Sequence, residues 1–144
     1  MRISALTLVA TLAAAGTAFA ATAPPSIKVT LDPQPGSKIA GTATIVHSAT
    51  EPPVVDVTIV LDGVFIPENE YPAGVYRSTC AKLASTAEYR LNPVVGGRSK
   101  TEVKPAMKRS KRKSNWSYSI AVFNTAGTRA ISCGALPMMR DHQH

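Results

Sequence analysis

Short runs in which apolar and polar residues alternate, broken by glycine and proline, constrain this chain most strongly. Alternation of this kind places every second side chain on one buried face of a β-strand. Pro67 and Pro72 argue against a long strand over 64–73. Beyond the N-terminal region, no apolar stripe has helical spacing. The alternation predicts strands over 27–31, 39–47, 55–62, 87–91, 98–103, 116–123 and 128–133.

Strands of this number and spacing predict the class of fold. Seven or eight short strands separated by turn residues are typical of sandwiches and barrels. The chain has 144 residues, of which 44% are hydrophobic, and this is enough for one core. We therefore expect an all-β domain, built as a Greek-key β-sandwich or flattened barrel of seven to eight antiparallel strands.

The N-terminus has the features of a cleaved signal peptide. Arg2 supplies a short positive start, and the apolar run 3–15 ends in small residues. Cleavage after Ala20 fits the small-x-small pattern, and cleavage after Ala23 stays open as an alternative. The run is shorter than the roughly 20 apolar residues that a membrane span needs. We expect a periplasmic or secreted protein that does not span the membrane, with its oligomeric state left open.

These features divide the chain into three parts. The expected parts are a signal peptide at 1–20, a single β domain at 21–136 and a disordered tail at 137–144. The β domain contains both cysteines of the chain, Cys80 and Cys133. In an oxidising compartment, an isolated pair of this kind indicates a structural disulfide. Metal binding by the pair is the alternative, but no further ligands lie near either cysteine.

Positive charge is concentrated in one part of the chain. Residues 98–113 contain eight Lys and Arg against one Glu, a net +7 in sixteen residues, whereas the whole chain has +7. We call 104–113 the basic segment. Pro105 discourages strand pairing there, so the segment is expected to form an exposed hairpin connection. Like charges at such spacing repel one another until an anion neutralises them. The predicted anion-binding residues are Lys104, Lys108, Arg109, Lys111, Arg112 and Lys113.

Export would limit the anions that the basic segment meets. Anionic lipid headgroups, lipopolysaccharide phosphates and acidic glycans are the expected partners. Specific nucleic-acid binding is not expected, because base stacking needs interleaved aromatic residues and only Trp116 lies near the charge. The alternative is a solvated surface that aids solubility and protects a sheet edge.

The region from Pro72 to Leu136 resembles the copper/zinc superoxide dismutase-like family, including its short chordin-type (CHRD) relatives. Residues 72–80 lie where these relatives have a His-x-His strand shortly before a cysteine. Residues 118–122 resemble the strand that normally ends in a ligand histidine, and 131–134 resemble the closing strand with its Cys-Gly. The resemblance implies a superoxide dismutase-like barrel in which Cys80 pairs with Cys133.

The chain departs from this family at the metal ligands. Gly74, Tyr76 and Phe123 occupy the positions where the resemblance places three histidines. None of them supplies the imidazole nitrogen that copper or zinc requires there. The other histidines, at 47, 142 and 144, form no recognisable ligand set. We therefore expect neither a metal site nor a cofactor.

Other catalytic patterns are also lacking. The sequence contains no Gly-x-Ser-x-Gly elbow, no His-Glu-x-x-His motif and no phosphate-binding glycine loop. Glu68 and Glu70 are interpreted as a solvated acidic patch. The sequence thus favours a non-catalytic, exported superoxide dismutase-like domain that contacts anionic envelope components or glycans. The alternative is a divergent copper/zinc superoxide dismutase or copper-handling protein.

Overall fold

The structure is a computed structural model that describes residues 26–48, 54–104 and 117–137, together with Gly16. These residues form eight strands and no helix. The strands are β1 (Ser26–Pro33), β2 (Ala40–His47), β3 (Val55–Asp62), β4 (Tyr71–Tyr76), β5 (Tyr89–Val94), β6 (Arg98–Val103), β7 (Ser119–Phe123) and β8 (Ala130–Ala135).

All eight strands belong to one antiparallel sheet that curves into a nearly closed barrel. Their order is β5-β4-β7-β8-β1-β2-β3-β6. Strand β1 joins two halves, because its residues 26–31 pair with β2 while Asp32 and Pro33 pair with β8. We call β1, β2, β3 and β6 the first half, and β5, β4, β7 and β8 the second half. The chain crosses between the halves after β3, β5 and β6, as in Greek-key topology, so the predicted fold class is confirmed.

The interior of the barrel is a single apolar core. The predicted alternation is seen in β3, where Val57, Ile59 and Leu61 are buried and Thr58 lies on the outer face. Apolar side chains of both halves meet in the same cluster. Its largest fully buried members are Leu31, Ile59, Val94, Ile120 and Val122.

The edge strands β5 and β6 close the barrel without a regular backbone ladder. A tight turn at Gly96 and Gly97 joins them, and both glycines have positive φ angles, of 60° and 77°. Beyond the turn, side chains bridge the strands. The backbone N–H of Asn92 donates to Thr101 Oγ1 at 2.7 Å, and the Ser99 hydroxyl donates to the backbone carbonyl of Asn92 at 2.7 Å. We call this junction the seam.

Strand β4 is short, with six residues, and overlaps only the end of the region 64–73, where the prolines argue against a long strand. It coincides with the strand that the resemblance implies within 72–80. Pro72 lacks the N–H that a ladder uses. In the structure, the β4–β5 register shifts between Tyr71 and Ala73, and pairing with β7 begins at Ala73. Pro72 therefore lies at an irregularity of the ladder, where no hydrogen bond from its nitrogen is needed.

Two predicted strands are shifted along the chain. The strand predicted at 87–91 is β5, and the one predicted at 128–133 is β8. In the second case, the side chain of Asn124 accepts hydrogen bonds from the backbone N–H groups of Thr128 and Arg129. These two residues complete a turn, so the strand begins later than the alternation predicts.

The topology also corrects the prediction for the basic segment. Strand β6 pairs with β3, whereas β7 pairs with β4 and β8. The chain between Val103 and Ser119 therefore connects the two halves of the barrel and is not a hairpin.

Within 26–48, 54–104 and 117–137, no helix has the length and hydropathy of a membrane span.

Candidate functional site

The connection between β4 and β5, residues 77–88, lies on the outer face of the second half. The Ser119 hydroxyl of β7 donates to the Ser78 carbonyl at 2.7 Å, with Ser119 fully buried. Arg77 and Glu88 form an ion pair at 3.0 Å across the two ends of the connection. Because the connection covers β7 from outside, Ser119 and Ala121 are buried even though the core lies on the opposite side of the strand.

The predicted disulfide is confirmed. Cys80 in the connection is bonded to Cys133 in β8, and their Cα atoms are 5.8 Å apart. Cys133 is buried and is paired in register with Ala121 of β7 and Asp32 of β1. The bridge therefore fixes the connection to the part of the sheet where the two halves meet.

The three positions at which the resemblance implies histidines come together in the structure. Tyr76 and Phe123 pack against each other, with ring centroids 5.5 Å apart and an angle of 54° between the planes. A Cβ atom at Gly74 would lie 3.1 Å from Cε2 of Tyr76 and 3.0 Å from the Cβ of Ala87. The missing side chain at Gly74 thus leaves room for the Tyr76 ring.

This cluster does not suit copper or zinc. A glycine and a phenylalanine offer no donor atom, and Tyr76 offers only a phenol, whereas these metals are held by imidazole, thiolate or carboxylate groups. His47 lies at the end of β2, in the other half of the barrel. Nowhere in the described ranges do three His, Cys, Asp or Glu side chains gather into a possible metal site. His142 and His144 lie outside the described residues.

A cleft opens beside this cluster, and sequence reasoning did not find it. It has a volume of about 300 Å³ and lies between the last residues of the connection and the outer face of β4 and β5. Burial raises the pKa of the Tyr76 phenol above its usual value, and the positive charge of Arg90 opposes that rise. The lining includes Pro72, Tyr76, Ser85, Thr86, Arg90 and Leu91.

The structure describes only the start of the basic segment. Lys104 directly follows β6, is largely exposed, and has its Nζ atom 3.8 Å from Oε1 of Glu102. Arg98 and Lys100, also exposed, alternate on β6 with the buried Ser99 and Thr101. The other predicted anion-binding residues, Lys108, Arg109, Lys111, Arg112 and Lys113, lie outside the described residues, as does Trp116.

The remaining candidate pair is not part of a site. Glu68 and Glu70 are exposed in the connection between β3 and β4, as expected for a solvated acidic patch. The described residues therefore offer two features for function. One is the cleft beside Tyr76, and the other is the pair of chain ends from which the basic segment departs.

Together these observations define a small, disulfide-closed, all-β barrel with an aromatic cluster on its outer face. No family model, curated protein or solved structure matches the chain. The resemblance to superoxide dismutase-like domains therefore stays a prediction from the sequence.

Proposed function

We propose that this protein is an exported, non-catalytic, superoxide dismutase-like β domain that contacts an anionic envelope component or glycan through its basic segment. The observation behind this proposal is the uneven distribution of charge. The sixteen residues 98–113 account for a net +7, so the other residues sum to zero. A fold that needed charge only for solubility would not require it in one connection.

The placement of the chain ends supports this role. The connection that contains the basic segment runs from β6, at one edge of the sheet, to β7 in the other half. Arg98 and Lys100 are exposed on β6 immediately before it, so the positive charge continues onto the folded surface. A polyanion that binds the segment would meet these side chains as well.

The proposal of a non-catalytic domain rests on side-chain chemistry. The positions that the resemblance assigns to metal ligands hold Gly74, Tyr76 and Phe123, and the two rings pack together. The proposal of export rests on the sequence of the first twenty residues. The Cys80–Cys133 bridge supports it, because disulfides persist in oxidising compartments.

The test compares two variants with the same loss of charge. In the segment variant, Lys108, Arg109, Lys111, Arg112 and Lys113 are changed to Ser. In the control variant, five dispersed basic residues are changed to Ser, and these are Lys28, Lys38, Lys82, Arg129 and Arg140. The oxidised protein is mixed with phosphatidylglycerol vesicles, lipopolysaccharide or polygalacturonate at increasing salt. Neutral phosphatidylcholine vesicles serve as the blank.

Native protein is expected to bind at least one of these polyanions, with affinity that falls steeply as salt rises. Each basic residue near an anionic surface contributes about 1 kcal/mol, so the segment variant should bind at least ~30-fold more weakly. The control variant should lose far less affinity for the polyanions. Equal weakening of the two variants, or native binding that is insensitive to salt, would contradict a role for the segment.

A further inference from the structure

The cleft beside Tyr76 has the composition of a small binding site. Its lining includes Arg90, Tyr76, Ser85 and Thr86, whose side chains carry a guanidinium, a phenol and two hydroxyls. In the part of the chain that the structure describes, no carboxylate lies within ion-pair distance of Arg90. None of the three hydroxyls has a hydrogen-bond partner there either. These four side chains line one cleft and are not paired with one another, and Ser85, Thr86 and Arg90 are open to solvent and so accessible to a ligand.

These groups favour a ligand with an anionic group and hydroxyls. An arginine without an internal partner binds a carboxylate through two parallel N–H donors. A tyrosine phenol is protonated at neutral pH and can donate a hydrogen bond, and burial raises the pKa of Tyr76 further above its usual value. The hydroxyls of Ser85 and Thr86 can each donate and accept, which suits the hydroxyl groups of a sugar.

The apolar lining and the size of the cleft narrow the choice further. Pro72 is exposed and adds apolar surface, against which the C–H groups of a sugar ring can pack. The volume of about 300 Å³ is at the lower limit of ligand pockets. It suits a single monosaccharide unit better than a nucleotide or a larger metabolite.

We propose that this cleft binds an acidic monosaccharide unit, a uronate, with its carboxylate on Arg90 and Tyr76 and its hydroxyls on Ser85 and Thr86. This goes beyond the proposed role of the basic segment, because the cleft is formed by other residues on the connection, β4 and β5. It predicts that the folded domain recognises a sugar even without the segment.

The test measures binding of the monomer by NMR titration of the oxidised protein. Galacturonate is compared with galactose, acetate and inorganic phosphate at equal ionic strength. Galacturonate should give saturable shifts at residues 73–76 and 85–91, with a Kd of ~1 mM, a value typical of a small, weak ligand. Saturation by acetate or phosphate at the same concentration would overturn the sugar assignment, as would equal binding of galactose.

Single-residue variants then test the assigned contacts. Arg90→Gln should raise the Kd at least ~10-fold, since a charge-assisted bidentate contact is lost. Tyr76→Phe keeps the ring and its packing, and should raise the Kd about 3-fold through loss of one hydrogen bond. The matched control Arg129→Gln removes an exposed arginine outside the cleft and should leave the Kd unchanged. Native affinity in Arg90→Gln would overturn the proposal.

The segment variant separates this inference from the proposed function. It should bind galacturonate with native affinity but polygalacturonate more weakly. If the monomer fails to bind while polygalacturonate still binds through the segment, only the cleft proposal fails. If the monomer binds and the segment variant holds polyanions as native protein does, only the segment proposal fails.

Discussion

The ring of Tyr76 packs against that of Phe123 at 5.5 Å on the outer face of the barrel, and the absence of a side chain at Gly74 leaves room for the Tyr76 ring. Tyr76 belongs to β4 and Phe123 to β7, two strands that pair in the second half. A metal-binding barrel of the kind that the sequence resembles would need imidazoles at these three positions. Here two packed aromatic rings occupy the space.

Removing either ring should reveal a direct coupling between them. Tyr76→Ala, Phe123→Ala and the double variant form a double-mutant cycle, measured by urea unfolding. Packed aromatic pairs contribute about 1 kcal/mol beyond the burial of each ring. The double variant should therefore lose about 1 kcal/mol less than the sum of the single losses. Strict additivity would show that the two rings do not stabilise each other.

Two fully buried serines are expected to respond differently to the loss of their hydroxyls. Ser119 donates to the Ser78 carbonyl at 2.7 Å, whereas Ser132 Oγ has no hydrogen-bond partner among the described residues. Ser119→Ala should lower the free energy of unfolding by about 1–2 kcal/mol, because the partly buried Ser78 carbonyl loses its partner. Ser132→Ala should be neutral or stabilising, because an unsatisfied hydroxyl is removed. Chemical denaturation of the pair measures both, and an equal loss in the two variants would contradict this assignment.

The sequence predicts the strands well where an apolar face lies against the core. Val57, Ile59 and Leu61 face the core, because successive side chains of a strand lie on opposite faces. The resulting alternation of apolar and polar residues is visible in the sequence. The alternation did not reveal strand β4, because the strand contains Pro72, which the local ladder irregularity accommodates, and only the resemblance implied a strand there. That irregularity depends on the partner strand, and a single sequence does not reveal it.

The candidate site was predictable only in part. The disulfide could be expected because only two cysteines exist. The cleft could not, since Tyr76, Ser85 and Arg90 belong to no motif. They come together only because the connection folds back over β4 and β5.

The disulfide should be the largest single contribution to stability. Cys80 and Cys133 are 53 positions apart, and closing a loop of this length stabilises a fold by about 4 kcal/mol on the chain-entropy treatment. Reduction of the native protein should therefore lower its Tm markedly. The Cys80→Ala/Cys133→Ala variant should show the lower Tm with or without reductant. Titration of two free thiols in protein purified without reductant from an oxidising compartment would refute the bridge.

The seam between β5 and β6 provides the last prediction, and it rests on a matched pair of threonines. Thr101 is buried at the seam, where its Oγ1 accepts the backbone N–H of Asn92 at 2.7 Å. Thr58 lies on the outer face of β3, and its hydroxyl has no hydrogen bond within the described ranges. Both residues occupy strands, so Thr→Val keeps the shape and the β-propensity at each position.

Thr101→Val should lower the free energy of unfolding by about 1–2 kcal/mol, because the Asn92 N–H loses its acceptor near the core. Thr58→Val should change it by less than ~0.5 kcal/mol. Hydrogen exchange adds a local readout. In Thr101→Val, the backbone amide of Asn92 should exchange faster than the change in global stability alone would cause. The exchange of backbone amides in β2 and β3 should change only as much as global stability does. If Asn92 keeps its native protection in that variant, side-chain hydrogen bonds do not hold the two edge strands together, and the barrel must be closed by core packing alone.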